Sequence, residues 1–229
     1  MIIHGLQKMT LLDFPGQVAC TVFLGGCEFR CPFCHNADLL DLKAPGVMDD
    51  EELLDFLKGR KGLLDGVAIT GGEPMLRKDL PDLLARIREL GFKIKVDTNG
   101  DHPDMLREVV NAGLADYIAM DVKNSPERYA QTIGFETFDT KCIDESIRFL
   151  IGGDVDYEFR TTVVKQFHDD SSFEAIAAWI KGAKRYELQG FVDRDTVPFA
   201  GLKACSREEM ERFADIVRPH VGEVALRGV

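Results

Sequence analysis

The chain has 229 residues, is 45% hydrophobic and 29% charged, and carries a net charge of −11. That length buries a core without staples, the composition excludes a disordered chain, and the acidic balance argues against nucleic-acid binding, which needs a basic surface. No apolar run approaches the roughly 18 residues of a membrane span, and the first ten residues lack the order of a secretory signal, so a cytoplasmic protein with reduced thiols and no membrane partner is expected.

In chain order, strands and helices alternate. Val18 to Leu24 is apolar and β-branched and reads as a buried strand. Asp49 to Lys58 opens with acidic residues and spaces its leucines helically, so it reads as a helix. Gly66 to Thr70 predicts a strand, Asp79 to Leu90 a helix stopped by Gly91, and Phe92 to Asp97 a strand. Pro103 to Asn111 predicts a helix and Ala115 to Asp121 a strand. Asp144 to Leu150 lies in a helix ending at Gly152-Gly153, and Tyr157 to Val164 follows as a strand. Ser172 to Lys184 reads as a helix with Ser171 or Ser172 as its cap. Tyr186 to Val192, Arg207 to Val217 and Val221 to Leu226 then read as strand, helix and strand.

This alternation predicts an α/β fold of about six βα units with a parallel sheet. No linker divides the chain, so residues 1–229 are expected to form one domain. Six units fall short of a complete eight-unit barrel. A partial (β/α)6, TIM-like barrel is the expectation, with a doubly wound sheet as its competitor. In both folds chemistry sits beyond the carboxyl ends of the strands. The polar clusters fall there: Cys27, Cys31 and Cys34, then Gly71-Gly72-Glu73-Pro74, Asp97-Thr98-Asn99-Gly100 and Asp121-Val122-Lys123, with Arg160-Thr161-Thr162 inside the fifth strand.

Three of the six cysteines fall within eight residues, with spacing C-x3-C-x2-C. Closely spaced thiolates on a short loop suit an iron–sulfur cluster, and three ligands leave one iron of a cube open. Other readings of the same residues remain. Cys31-Pro-Phe-Cys34 matches a glutaredoxin-type redox pair, although Cys27 is then unexplained. Cys31 to His35 matches a c-type haem string, which is usually attached outside the cytosol. A zinc site would need His35, Cys20 or Cys205 as fourth ligand.

The C-x3-C-x2-C string with Phe33 before its last cysteine resembles the radical S-adenosylmethionine (SAM) superfamily. The longer string from Phe23 through Gly26, Arg30 and the cysteines to Asn36 resembles the glycyl-radical-enzyme activating proteins. Gly5-Leu-Gln-Lys8 and Asp13-Phe-Pro-Gly16 make the chain most similar to activators of anaerobic ribonucleoside-triphosphate reductase. Gln17 and Ala19 stand where the pyruvate formate-lyase activators have glycine and arginine, which favours the reductase group. The stretch between Cys34 and Gly71 is too short for the ferredoxin-like insert of some other activators.

The resemblance implies a [4Fe–4S] cluster on Cys27, Cys31 and Cys34, with SAM chelating the open iron. It implies a one-electron donor of the flavodoxin or ferredoxin type, reductive cleavage of SAM, and hydrogen-atom abstraction from a glycine of a partner enzyme. It implies SAM contacts from Gly71, Gly72 and Glu73, whose carboxylate would accept from the SAM ammonium. Asp97 and Thr98 would contact SAM and a monovalent cation, which Asp97 and Asp121 could hold by oxygen ligation. Lys123 would neutralise the SAM carboxylate, and Arg160 would face the ribose or carboxylate.

Each of these residues has a plainer role open to it. The glycines could form an ordinary turn, the aspartates could cap helices, and Arg160 could reach solvent. His35 could bond a backbone group, Cys20 and Trp179 read as core, and Cys142 and Cys205 lie in no motif. Two further functions stay open: radical SAM chemistry on a small molecule such as a pterin-derived nucleoside precursor, and a non-enzymatic iron–sulfur or zinc electron-transfer module.

Overall fold

The computed structural model describes residues 1–229. The strands are β1 (Ile2–Ile3), β2 (Gly5–Thr10), β3 (Ala19–Leu24), β4 (Met48–Asp49), β5 (Gly66–Gly71), β6 (Lys93–Thr98), β7 (Tyr117–Asp121), β8 (Asp156–Val163), β9 (Arg185–Gly190) and β10 (Glu223–Arg227). The helices are α1 (Asp50–Lys58), α2 (Leu80–Glu89), α3 (Pro103–Asn111), α4 (Tyr129–Thr132), α5 (Lys141–Gly152), α6 (Asp170–Trp179) and α7 (Arg207–Val217). From β3 onward the order is six βα units and the closing strand β10, with β4 a two-residue addition.

The chain forms two compact units. The first comprises Met1–Glu28, Asp38–Thr98 and Asp104–Ile118. Its sheet runs β2-β3-β5-β6. β3, β5 and β6 pair in parallel, Val22 opposite Ile69 and Ala68 opposite Lys95. Ala19, Cys20, Val22, Leu24, Val67, Ile69, Ile94 and Val96 are wholly buried, as near-continuous apolar runs predict for parallel strands covered on both faces. α1 buries Leu53, Leu54 and Leu57, and α2 buries Leu80, Leu83, Leu84 and Ile87, each at the three-to-four-residue spacing of one helix face. Asp49 starts α1 through a reciprocal capping box with Glu52.

The second unit comprises Phe29–Ala37, Asn99–Pro103 and Ala119–Val229. β8, β9 and β10 are parallel, with Arg160 opposite Glu187 and Ala225 opposite Glu187 on the next strand. α6 packs on α7 through stacked Phe173 and Phe213, 4.5 Å between ring centres. No helix is long and apolar enough to cross a membrane.

Beside the short β1, β4 and α4, two elements depart from the sequence reading. β2 is a strand that the sequence did not announce. It pairs antiparallel with β3 as an edge, with a register irregularity between Gln7 and Thr10, and its exposed middle lacks alternation. The cap of α6 is Asp169, not Ser171 or Ser172: its carboxylate accepts from the Ser172 amide, the Ser172 hydroxyl reciprocates, and Arg128 holds the carboxylate at 2.8 Å. α6 also ends at Trp179, short of Lys184, and Gly182 turns the chain at φ +92°.

Candidate active site

The loop after β3 is clamped before it reaches the first cysteine. The Gly25 amide donates to His4 Nδ1 at 2.9 Å, and a Cβ on Gly25 would lie 2.6 Å from the His4 ring. Gly26 has φ +96°, and its amide donates to the Leu39 carbonyl at 2.7 Å. Cys27 follows, half-buried, its amide directed to the Leu40 carbonyl. His4 Nε2 is buried without a hydrogen-bond partner. Neither His4 nor its amide contact was marked by any sequence motif.

In the second unit, the Arg30 amide donates to the Ile133 carbonyl at 2.9 Å, and Gly134 (φ +84°) admits the Arg30 backbone where a Cβ would come within 2.3 Å of its oxygen. Phe29 packs edge-on against Tyr129, Phe135 and Phe138. Phe33 is buried against Phe167. The Cys34 amide donates to the Cys31 carbonyl at 3.1 Å, closing a turn that sets the two thiols on one bend. None of the six cysteines forms a disulfide. Burial pushes the Cys31 thiol up to about 11 and raises Cys34, while the Lys123 charge pulls both the other way.

At the end of β5, the space freed by each glycine is filled by the chain itself. Gly71 has φ +129°, and a Cβ there would meet the Leu24 oxygen at 2.1 Å. A Cβ on Gly72 would meet the Gly26 oxygen at 2.1 Å and Cys27 Cβ at 3.3 Å. The Gly72 amide donates to Leu24, 2.8 Å, and the Glu73 amide to Gly26, 2.7 Å. The Gly-Gly pair therefore welds the ends of β3 and β5 together. The Glu73 side chain is 1% exposed. Its Oε1 accepts from the Met75 amide at 2.9 Å and the Thr98 hydroxyl at 2.8 Å. Asp97 is half-buried and salt-bridged to Lys95, a lysine only 1% exposed. The sequence reading did not single out Lys95, because a lysine in a strand normally reads as exposed.

At the end of β7, beside Arg160 within β8, Asp121 uses both carboxylate oxygens. Arg160 Nε donates to Oδ1 at 2.9 Å and Lys123 Nζ to Oδ2 at 2.7 Å. Burial works against the Asp121 charge, but Arg160 and Lys123 outweigh it and hold the carboxyl at about 2. Arg160 is 8% exposed and is held in this network. The Lys123 backbone is held from two sides. Its amide faces the Tyr129 hydroxyl, and its carbonyl accepts from His168 Nε2 at 2.9 Å, while His168 Nδ1 accepts from the Val164 amide. Burial lowers the His168 pKa, disfavouring the charged ring.

The remaining sequence expectations also find places. His35 does bond a backbone group, Val192 O at 2.7 Å, and stacks on Phe191. Cys20 is wholly buried within β3. Trp179 is half-buried rather than core, with its indole N–H donating to Asp144 at 3.1 Å.

The profile of the radical SAM superfamily matches residues 21–180. The chain belongs to the radical SAM superfamily. A Methanocaldococcus jannaschii protein that carries the name glycyl-radical enzyme activating enzyme is 31% identical over 100% of this chain and 96% of its own. The radical SAM chain thus groups with glycyl-radical-enzyme activating proteins. Clostridium pasteurianum pyruvate formate-lyase-activating enzyme is 33% identical over 53% of this chain and 52% of its own. A 7-carboxy-7-deazaguanine synthase of Hyperthermus butylicus is 36% identical over 42% of this chain and 40% of its own.

Among solved structures, Streptococcus suis SuiB bound to its precursor peptide SuiA superposes with a TM-score of 0.69 at 14% identity. It covers 91% of this chain, which spans about half of SuiB (48%). That likeness shows the fold, the α/β radical SAM fold with a mostly parallel sheet. Radical SAM enzymes use a [4Fe–4S] cluster and SAM.

Proposed function

We propose that this chain is an activating enzyme that generates a glycyl radical on a partner enzyme, the partner being an anaerobic ribonucleoside-triphosphate reductase. The observation that carries the site assignment is the charge beside the thiols. Lys123 and Arg160 stand with a single acid, Asp121, and the Lys123 charge opposes the rise that burial imposes on the Cys31 and Cys34 thiols. Thiols outside any disulfide, a glycine-welded loop and two cations beside one acid fit a cluster with an anionic cosubstrate.

Cys27, Cys31 and Cys34 hold the cluster in this proposal. Bound there, the cluster and SAM supply reductive cleavage and the hydrogen-atom acceptor. Lys123 and Arg160 bind the SAM carboxylate, with Asp121 orienting both. Glu73, already aligned by Thr98 and the Met75 amide, accepts from the SAM ammonium, with Gly71 and Gly72 fixing its backbone. Asp97 and Thr98 complete the set, and Phe33 packs behind the cysteine turn. Residues 1–229 act as one catalytic domain, because the family match runs through residues of both units. A flavodoxin or ferredoxin supplies the electron.

The test is anaerobic reconstitution with iron and sulfide, then dithionite and SAM, reading 5′-deoxyadenosine and the glycyl-radical signal of added reductase. Cys31→Ala is expected to lose both. A loaded cluster that cleaves SAM but leaves the reductase without a radical overturns the partner. In that case the match to the deazaguanine synthase favours a small-molecule substrate.

A further inference from the structure

Strand-end carboxylates such as Asp97 and Asp121 are natural oxygen ligands for a hard cation. The structure does not fit that use. Both oxygens of Asp121 accept from Lys123 and Arg160, and Asp97 is salt-bridged to Lys95. Lys95 needs an explanation of its own. It is 1% exposed in a strand whose neighbours Ile94 and Val96 are wholly buried, and lysine is almost never fully buried unless paired. It lies opposite Ala68 of β5, whose small side chain leaves room for the lysine stem. Lys95 and Asp97 alternate onto the same face of β6, so the ammonium meets the carboxylate from within its own strand.

We propose that the Lys95 ammonium is a built-in replacement for a monovalent metal cation at Asp97, so the site works without sodium or potassium. Lys95 acts through Asp97 and is a positioning residue: its fixed point charge neutralises and orients the carboxylate. A metal ion could do the same only by stripping its water and displacing the ammonium. The inference rests on the proposal that Asp97 serves the SAM site. Failure of that proposal shows as an Asp97→Ala variant that binds SAM like the wild type, whereas failure of this inference shows as potassium dependence of the wild type.

The experiment compares potassium chloride with choline chloride at equal ionic strength. The first readout is the thermal midpoint of the full-length chain before iron is added, and the second is the SAM dissociation constant after reconstitution. The wild type is expected to give the same values in both salts. Lys95→Met is expected to bind SAM roughly tenfold more weakly in choline, with both the midpoint and the affinity recovering in potassium. Lys95→Arg is expected to resemble the wild type. Salt-selective rescue separates a charge role from a merely structural one, because a packing defect does not distinguish potassium from choline.

Wild-type SAM affinity that rises severalfold with potassium overturns the inference, as does a folded Lys95→Met variant indifferent to the salt. If Lys95→Met does not fold, Lys95→Gln takes its place. If neither folds, the wild-type comparison decides alone.

Discussion

The polar groups at the ends of β5 and β6 and those at the end of β7 and within β8 draw on the same residue types but balance them differently. In the first set, Asp97 is salt-bridged to Lys95, and Glu73 accepts from neutral donors, the Thr98 hydroxyl and the Met75 amide. In the second, one carboxylate, Asp121, is shared by two cations. Among the named side chains, two acids stand with one base in the first set and two bases with one acid in the second. A surplus held in place by other charges is a standing attraction for the opposite sign, available before a ligand arrives. The second set suits carboxylate and thiolate, and the first suits an ammonium. The difference teaches that Asp121 is less a ligand than a brace, keeping two cations side by side that would otherwise repel.

The strongest way to break this picture is to unseat the first set. Gly72→Ala places a methyl against the Gly26 carbonyl, where backbone cannot yield. A loss of about 3 kcal/mol in urea unfolding is expected, together with failure to assemble the cluster. A stable Gly72→Ala protein that loads iron normally would show that the weld is dispensable.

The second set is tested by Asp121→Asn, which leaves Lys123 and Arg160 partly buried without their acid. About 2 kcal/mol is expected, between the surface and buried limits for ion pairs. The pH dependence has a definite sign. The Asp121 carboxyl titrates at about 2 when folded against an ordinary 3.8, so its contribution is complete above 3.8 and is lost as pH falls toward 2. The stability gap between wild type and Asp121→Asn is therefore expected to close over that window in acid unfolding titrations. A gap that persists at the acid end would mean the brace is not electrostatic.

Thr98→Val removes one donor from Glu73 and is expected to cost about 1 kcal/mol while weakening SAM binding. The smallest effect belongs to a control outside both sets. Trp179→Phe loses only a half-buried indole bond to Asp144, about 0.5 kcal/mol in the same unfolding assay, with SAM binding unchanged.

Much of this was legible in the sequence, because strand–helix alternation and polar strand ends are local patterns. The six βα units, the burial of Cys20 and the backbone bond of His35 all emerged that way. What escaped depended on contacts distant in sequence. Lys95 is opposite Ala68 on the neighbouring strand. His4 meets Gly25 across the β2–β3 region, and His168 reaches Lys123 from far along the chain. β2 escaped because an edge strand needs only one partner and keeps no hydrophobic alternation. Asp169 was passed over for the serines beside it because a run of capping residues offers several starts, and the choice lies in the bonds its carboxylate accepts from Ser171, Ser172 and Arg128.

The welded glycines also have a mechanical consequence. Two amide bonds, from Gly72 to Leu24 and from Glu73 to Gly26, bind the turn after β5 to the segment just before Cys27. Any displacement of that segment carries Glu73 with it, and any force on Glu73 is felt at Cys27. The first cysteine and the buried glutamate thus travel as a single rigid link.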